Sequence, residues 1–158
     1  MRKGTKLFFV VCLGLLFITT SAFAGNLSIP DMSGEKGSTV EIPVNIDNAA
    51  GVAGFQMTVN YDSSVLDCTH AMPGDLTKGW SVTANLTKGQ VKIGGFSPVL
   101  SELSGSGSLA KIICNVIGDS PKKSEVKISS KKLVDSKGAE IKSSGVNGIF
   151  KAKKGKGK

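Results

Sequence analysis

The stretch GVAGFQMTVNYDSSVLDC, residues 51–68, carries the clearest structural signal in the chain. Apolar or aromatic side chains occupy its first odd positions: Ala53, Phe55, Met57, Val59 and Tyr61. Small or uncharged polar residues stand between them: Gly54, Gln56, Thr58 and Asn60. This alternation is typical of a β-strand with one side in a hydrophobic core and the other in water. The water-facing side offers hydrogen bonds and close backbone approach, but no charge and no reactive group.

Similar short segments recur along the chain, and no segment shows helical periodicity. Besides the opening strand, the predicted strands are residues 26–32, 39–47, 64–70, 79–87, 90–97, 108–118, 124–134 and 145–152. Lys88-Gly89 joins two of them in a predicted hairpin. Pro43 has no N–H to give to a ladder, so it predicts an edge, a bulge or a strand break. About nine short strands separated by turns indicate an all-β fold, a β-sandwich or jelly roll.

The first 24 residues have the pattern of a secretory signal peptide. A basic start at Arg2, Lys3 and Lys6 precedes an apolar run, and Ala22-Phe23-Ala24 supplies small residues for cleavage. The alternative is a membrane anchor, but the apolar run is shorter than the roughly 20 residues of a spanning helix. We therefore expect cleavage near Ala24 and a product that is secreted, periplasmic or held at the cell surface.

The formal net charge of +8 is concentrated at the two ends of the chain. Residues 25–150 carry 12 Lys and 12 Asp or Glu, and Arg2 is the only arginine in the sequence. Because proteins that read nucleic acid rely on arginine for bidentate contacts, this composition argues against a nucleic-acid partner. The lysine-rich residues 152–158 predict a disordered basic tail, which either contacts an anionic surface or only keeps the protein in solution.

Side chains that could carry chemistry are few and scattered. His70 is the only histidine, and it has neither a nucleophile motif nor a set of metal ligands around it. Cys68 and Cys114 follow apolar strand patterns, so they are either core residues or, after export, a disulfide. Trp80 and Tyr61 share the phase of the apolar residues, which places them in the core and weakens a carbohydrate-stacking role. The sequence predicts no enzyme, no cofactor and no metal site.

Several segments in the same order resemble the cohesin domain. They are VEIPVNIDNAAGVAGFQMTVNYDSSVLDC (40–68), GWSVTANLTKGQVKIGGFS (79–97), GSGSLAKIICNVIG (105–118) and GVNGIF (145–150). The resemblance implies a nine-stranded jelly-roll β-sandwich over residues 25–151. It also implies binding of a dockerin-like protein domain, with calcium held on the partner's side, through the outer face of the sheet that contains the opening strand.

The residues expected at that face depart from the pattern of scaffoldin cohesins. Gly54 and Gln56 stand where those cohesins offer an Asn and an Asp, and Asn85 stands near a Tyr. Gly94 falls near a Leu, and Ser97 near a carboxylate. The full set of candidate partner-binding residues is Gly54, Gln56, Thr58, Asn60, Asn85, Lys92, Gly94, Ser97, Ile113 and Asn115. Such a flat, nearly neutral surface suits hydrogen bonding around a small apolar centre, for which Ile113 is the candidate.

The resulting hypothesis is a secreted, non-catalytic cohesin-like module that docks a dockerin-like partner. One alternative is a carbohydrate-binding domain associated with polysaccharide degradation. Another is a structural component of the envelope whose sheet face has no partner. The exposure of Trp80 separates the first two, because a carbohydrate site needs exposed aromatic rings.

Overall fold

The computed structural model describes residues 25–155. The predicted signal peptide, residues 1–24, and the last three residues, 156–158, lie outside the described range. Between these limits the chain forms twelve β-strands and no helix. The strands are β1 (Leu27–Ser28), β2 (Met32–Glu35), β3 (Thr39–Ile46), β4 (Gly54–Asn60), β5 (Leu66–Pro73), β6 (Ser81–Thr87), β7 (Gln90–Phe96), β8 (Gly107–Val116), β9 (Lys123–Val134), β10 (Glu140–Ile141), β11 (Gly145–Val146) and β12 (Gly148–Lys153).

Two sheets pack face to face around one core. One sheet has the strand order β11-β1-β3-β8-β5, and the other has the order β2-β12-β9-β4-β7-β6, with β10 paired to the end of β9. This confirms the predicted all-β jelly-roll sandwich. The strand count exceeds nine because the first and last predicted strands are each divided between the two sheets, and because the two-residue β10 is added.

The first predicted strand divides at Pro30. β1 pairs with β3 and β11 in one sheet, whereas β2 pairs with β12 in the other. The crossing is held by hydrogen bonds, one of which runs from the Ile149 N–H to the Asp31 carboxylate at 2.8 Å. Gly148 lies against this crossing, where a Cβ would come within 2.5 Å of the carbonyl oxygens of Ile29 and Pro30. A larger residue at position 148 would therefore force the crossing apart.

The opening strand has the orientation that its alternation predicts. Phe55, Met57 and Val59 on β4 are 4%, 1% and 0% exposed, and Gln56 between them is exposed to solvent. The predicted hairpin also forms, because β6 and β7 pair from Thr87–Gln90 outward and Gly89 adopts a positive φ of 80° in the turn. Local alternation and turn chemistry are sufficient to specify these two features.

Pro43 lies within an unbroken β3, opposite Lys111 of β8. On the other side of β3, β1 pairs only with Asn45 and Ile46. Among the described residues, β3 therefore has a partner strand on only one side at Pro43, as an edge strand does. A bulge follows directly, between Val44 and Asn45.

A disulfide joins Cys68 of β5 to Cys114 of β8. The two residues are register partners on adjacent strands, and both are buried against the core. The sequence left open whether these cysteines are core residues or form a disulfide, and in the structure they do both. The bridge joins positions 46 residues apart.

The C-terminal strand β12 continues to Lys153, two residues into the segment predicted as a disordered tail. Ala152 is 4% exposed, and its N–H donates to the Lys122 carbonyl at 2.9 Å. The predicted boundary at residue 151 therefore falls inside a strand, because the buried Ala152 belongs to the core alternation. Between residues 25 and 155, no helix has the length and apolar character that a membrane crossing requires.

Candidate functional site

We call the outer side of β6, β7, β4 and β9 the central face. Cross-strand register places its side chains in four rows: Ser81, Thr83, Asn85 and Thr87 on β6; Gln90, Lys92, Gly94 and Phe96 on β7; Gly54, Gln56, Thr58 and Asn60 on β4; Lys127, Ser130, Lys132 and Val134 on β9. Directly paired residues of antiparallel strands point to the same side of the sheet, so these residues share one surface. It contains seven of the ten candidate residues.

Gln56 stands near the middle of the central face, between Gly94 on one side and Lys132 on the other. Its side chain is exposed and makes no hydrogen bond with any described residue. A free amide has two donors and one acceptor to offer, so Gln56 is available to a partner without loss of an internal bond.

Two shallow depressions flank Gln56, and the absence of a side chain at Gly94 opens one of them. One, of about 340 Å³, lies towards β6 and includes Gly94, Asn85 and Lys92 in its lining. The other, of about 240 Å³, lies towards β9 and includes Gly54, Phe96 and Lys132. Gly54 itself is covered, since a Cβ there would lie 3.0 Å from a Val134 methyl group. A partner side chain can enter either depression and reach the Gln56 amide.

Thr58 and Asn60, in contrast, are already engaged within the domain. The Ser130 hydroxyl donates to Thr58 Oγ1 at 2.9 Å, and the Gln90 amide donates to Asn60 Oδ1 at 3.0 Å. Both residues are half-buried. The part of β4 that is open to a partner is therefore its Gln56 end, while the Asn60 end is occupied by contacts between neighbouring strands.

The four rows of the central face contain positive charge only. Their charged residues are Lys92, Lys127 and Lys132; outside the rows, the exposed Glu125 lies on the same side of β9, two residues from Lys127. The ion pairs among the described residues join Lys36 to Asp119 and Lys111 to Asp75, both away from this surface. The lysines of the central face therefore have no acidic neighbour in an ion pair, and they favour an approaching negative charge.

An apolar end adjoins Gly54. Phe96 is 57% exposed, and the following turn presents Val99 and Leu100, which are 79% and 67% exposed. Leu100 adopts a positive φ of 54°, an uncommon conformation for a residue with a side chain. Exposed apolar side chains grouped in this way are typical of interaction surfaces. The exposed apolar side chain of this surface is therefore Phe96, at one end, and not Ile113, which was expected at its centre.

Ser97 does not belong to the central face. Its side chain is 1% exposed, and its Oγ accepts the Ser101 N–H at 3.0 Å. Ser97 therefore holds the turn that presents Val99 and Leu100. The prediction that Ser97 lies on this surface was wrong because the strand alternation ends at Phe96, and position 97 turns inward.

Ile113 and Asn115 were also predicted wrongly as parts of this surface. Both lie on β8, in the other sheet of the sandwich. Ile113 is 8% exposed, and Asn115 Oδ1 accepts the Thr39 hydroxyl at 2.9 Å. Alternation gave them an outward phase but did not say to which sheet their strand belongs.

Among the nine residues of the central face that were not candidates are Phe96, Ser130, Lys132 and Val134. The signal for Phe96 was present, since it continues the Lys92, Gly94 alternation of β7. No local signal identified the other three, because the pairing of β4 with β9 joins segments about 75 residues apart.

The aromatic residues that would serve a carbohydrate site are turned towards the core. The rings of Trp80 and Phe55 stack with centroids 6.3 Å apart and an interplanar angle of 20°. Trp80 and Tyr61 are both half-buried and packed against the core cluster. Phe96 is thus the exposed aromatic side chain of the central face.

The groups whose pKa is altered lie outside the four rows of the central face. Hydrogen bonds from Lys111 and Ser108 lower the pKa of Asp75, and the Lys36 ammonium lowers that of Asp119. His70 is exposed on β5, where its Nδ1 lies 3.0 Å from the Thr69 hydroxyl oxygen. Residues 25–155 contain no group of three or more His, Cys, Asp or Glu placed to hold a metal ion.

Comparison with known proteins agrees with this architecture. The family model for the Cohesin domain matches residues 25–151. None of the curated protein sequences compared with the chain matches it.

Solved structures of cohesins share the fold. A non-cellulosomal cohesin from the hyperthermophilic archaeon Archaeoglobus fulgidus aligns with a TM-score of 0.73 at 23% identity, covering 84% of this chain and 92% of that one. The sixth cohesin of Acetivibrio cellulolyticus scaffoldin B, in complex with a Cel5 dockerin mutant, gives 0.73 at 24% identity over 82% and 99% of the two chains. A type I cohesin–dockerin complex from Clostridium thermocellum, Coh-OlpA-Doc918, gives 0.73 at 19% identity over 81% and 98%.

The family match extends over nearly all of the described residues, from β1 into β12, and includes every strand of the central face. The chain therefore belongs to the cohesin family.

Proposed function

We propose that this protein is an exported, non-catalytic binding module that docks a dockerin-like domain through the central face. The observation that carries the proposal is the exposed Gln56 amide, which makes no hydrogen bond within the domain and lies between two shallow depressions, one of them opened by Gly94. Cohesins of the same fold occur in solved complexes with dockerins, which supports a partner of this class.

The chemistry of the central face indicates what kind of partner surface would fit it. Lys92 and Lys132 lie on either side of Gln56, and Phe96 supplies an apolar contact at one end. A matching partner surface carries carboxylates around a hydrogen-bonding centre, with an apolar side chain to cover Phe96. Calcium, where the interaction needs it, is held by the partner.

A protein partner fits the central face better than a polysaccharide. Sugar rings stack on exposed aromatic rings, and here Trp80 is stacked on Phe55 instead. The flat surface between Asn85 and Lys132 suits the side of a small folded domain, which gains its affinity from many weak contacts.

Capture from the organism's own secreted proteins tests the proposal. The chain from Gly25 onward is immobilised, and captured proteins are identified by mass spectrometry with and without a calcium chelator. We expect a protein with paired calcium-loop repeats, released by the chelator. The Gln56→Arg variant should lose this capture, while Met72→Arg, which adds the same charge on the opposite sheet, should retain it. Retention on insoluble polysaccharide with no captured protein would favour the carbohydrate alternative, and no ligand in either assay would favour a structural role.

Export is the second part of the proposal. The signal-like residues 1–24 support it, and so does the buried Cys68–Cys114 disulfide, because such bonds persist in oxidising compartments. Mass spectrometry of the protein from culture medium and cell envelope tests it. We expect a chain that begins at Gly25, and a chain that retains Met1 in the membrane fraction would indicate an anchor instead.

A further inference from the structure

The sheet that carries the central face ends at β6, and this edge strand lacks the features that usually protect an edge. β6 runs for seven residues as Ser-Val-Thr-Ala-Asn-Leu-Thr, with no charged residue and no proline, and it pairs with β7 without a bulge. Folded proteins usually block their edges with charges, prolines, bulges or very short strands, because an open edge can pair with a strand of another molecule. None of these devices is present in β6.

The other edges of the two sheets are protected. β5, at the edge of the second sheet, contains Asp67 and ends at Pro73, and a bulge interrupts its register between Cys68 and His70. β11 and β2, at the opposite ends of the two strand orders, are two and four residues long. β6 is therefore the long, regular and uncharged edge among those that the described residues form.

The backbone groups of Val82, Ala84 and Leu86 face the open side of β6. The Ser97 N–H donates to the Ala53 carbonyl at 3.1 Å, which identifies the odd-numbered residues of β7 as those bonded to β4. The even-numbered residues of β7 are therefore bonded to β6, at Ser81, Thr83, Asn85 and Thr87. Because backbone bonding alternates along an antiparallel strand, the other three residues of β6 direct their N–H and C=O groups away from β7. Within residues 25–155, no strand pairs with β6 on that side, and no backbone bond of a turn or loop reaches these three residues.

The apolar side chains at this edge are only partly covered. Val82, Ala84 and Leu86 pack against the core but are half-buried, whereas Val91 and Ile93 on the neighbouring β7 are 0% and 1% exposed. β5 of the other sheet lies beside β6 without pairing to it, and an open depression of about 440 Å³ lies between the two strands at the Leu86 end. A strand added to β6 would cover this apolar row.

The sequence of β6 is complementary to itself in the antiparallel direction. A two-fold axis at Ala84 gives a register in which Ala84 faces its own copy, Val82 faces Leu86, Thr83 faces Asn85, and Ser81 faces Thr87. Apolar side chains then meet on the core side of the sheet, and small polar side chains meet on its outer side. The same register brings the open N–H and C=O groups of the two strands into hydrogen-bonded pairs.

We propose that this protein forms a two-fold symmetric dimer in which β6 pairs antiparallel with β6 of a second copy. The interface is isologous, because the same strand supplies both halves. The self-complementary order of residues favours a second copy over an unrelated extended peptide. Charge does not oppose the contact, since the two copies of Lys92 lie about 15 Å apart, beyond the screening length of about 8 Å at physiological salt.

The dimer joins two central faces on one side of a continuous sheet. Its axis is perpendicular to the sheet, so the outer sides of both copies face the same way, and the two Gln56 residues are separated by five strand spacings, about 25 Å. A chain with one central face thereby presents two. This consequence rests on the proposed docking function, whereas the dimer does not, and its test measures association of the protein alone.

Sedimentation velocity of the chain from Gly25 to Lys158 tests the proposal. We expect the dimer fraction to rise as the protein concentration is raised towards about 1 mM. Thr83→Lys/Asn85→Lys places lysines opposite each other across the axis, so the dimer should be weakened about tenfold or more. Thr83→Lys/Asn85→Glu places a lysine opposite a glutamate in the same register, so its dimer should be at least as strong as that of the wild type.

Two further variants separate strand pairing from net charge and from misfolding. Ser104→Lys/Ser106→Lys adds the same charge with the same spacing on the exposed segment before β8, and it should leave the dimer unchanged. Ala84→Pro removes an N–H that faces the open edge and no bond to β7, so it should abolish the dimer while the domain remains folded by circular dichroism.

Three results would overturn the proposal. A chain that stays monomeric up to about 1 mM would exclude the dimer. Equal weakening by the Lys/Lys and Lys/Glu variants, or a dimer that persists in Ala84→Pro, would mean that the copies meet through another surface. An equal loss in Ser104→Lys/Ser106→Lys would mean that net charge governs association.

Discussion

Gln56 and Gly94 are register partners across β4 and β7, and the space above Gly94 is open. A Cβ built at position 94 meets no atom closer than the Phe55 carbonyl oxygen, at 3.9 Å. The neighbouring Gly95 points the other way, and a Cβ there would lie 2.5 Å from two carbons of the Phe55 ring. Two adjacent glycines thus have separate roles, one in leaving the surface open and the other in packing the core.

The variant Gly94→Tyr should abolish partner capture without unfolding the domain. The new ring would fill the depression beside Gln56, and position 94 has ordinary strand geometry that tolerates a side chain. We expect loss of capture in the pull-down and a melting temperature within a few degrees of the wild type. Gly95→Ala provides the contrast. It should destabilise the domain by about 1–3 kcal/mol through overpacking against Phe55, which a denaturant titration measures. Unchanged capture by Gly94→Tyr would show that the partner binds elsewhere.

Charge reversal at Lys92 and Lys132 should weaken partner binding mainly through slower association. These lysines are exposed and without ion pairs, so they act by attracting an acidic partner surface, and such steering depends on salt. For Lys92→Glu/Lys132→Glu we expect the association rate to fall at least about tenfold at low salt, with a smaller effect at high salt. Surface plasmon resonance with the captured partner measures both. The control Lys137→Glu/Lys142→Glu makes the same change in net charge outside the central face. An equal fall in its association rate would show that net charge, and not the position of Lys92 and Lys132, governs association.

The strand faces were predictable from sequence because they depend on neighbouring residues. Alternation at Phe55, Met57 and Val59 defines the inward side of β4, and Lys88-Gly89 defines the hairpin beside it. The hairpin places Asn85, Lys92 and Gly94 on a common side of β6 and β7. Gln56 was placed beside them through the resemblance to cohesins, because the pairing of β4 with β7 is not local. Their role in binding stays a prediction.

The rest of the surface depends on contacts between distant segments. Lys132 and Val134 lie on the central face because β9 pairs with β4. Alternation within either strand gives no information about that pairing. The same lack of information led Ile113 and Asn115 to be placed on the wrong sheet. Ser97 was assigned by its position in the family pattern, although the phase of β7 indicates Phe96.

Removal of the disulfide should destabilise the domain but leave the central face intact. On a chain-entropy model, a cross-link between residues 46 apart contributes about 4 kcal/mol. We expect Cys68→Ala/Cys114→Ala to lower the free energy of unfolding by an amount of this order. The core also loses two sulfur atoms, which adds to the destabilisation. Urea denaturation in the absence of reductant measures the loss. Partner capture below the denaturation midpoint should persist, since the bridge joins β5 and β8 in the other sheet. A variant as stable as the wild type would show that the bridge contributes little.

The ion pair of Asp75 and Lys111 should make stability depend on pH in acid. The Lys111 ammonium, 2.9 Å from the carboxylate, and the Ser108 hydroxyl lower the pKa of Asp75 from its ordinary 3.8. A lowered folded-state pKa gives stability that is present above the ordinary value and is lost as pH falls through the folded one. The pKa of Lys111 is raised from 10.5, so its contribution is present below that value and is lost as pH rises further. The stability difference between wild type and Asp75→Asn should therefore be level from about pH 5 to 9 and shrink towards pH 2.

Denaturation midpoints across this pH range measure the difference. Asp67→Asn serves as the control, because Asp67 is exposed on the same sheet and takes part in neither ion pair. A narrowing of the same size in this control would mean that the effect does not come from the Asp75–Lys111 ion pair. Since both partners of the Asp75–Lys111 pair are partly solvated, the effect should also decrease in high salt. A difference between wild type and Asp75→Asn that stays constant down to pH 2 would mean that Asp75 contributes through packing or backbone geometry, and not through its charge.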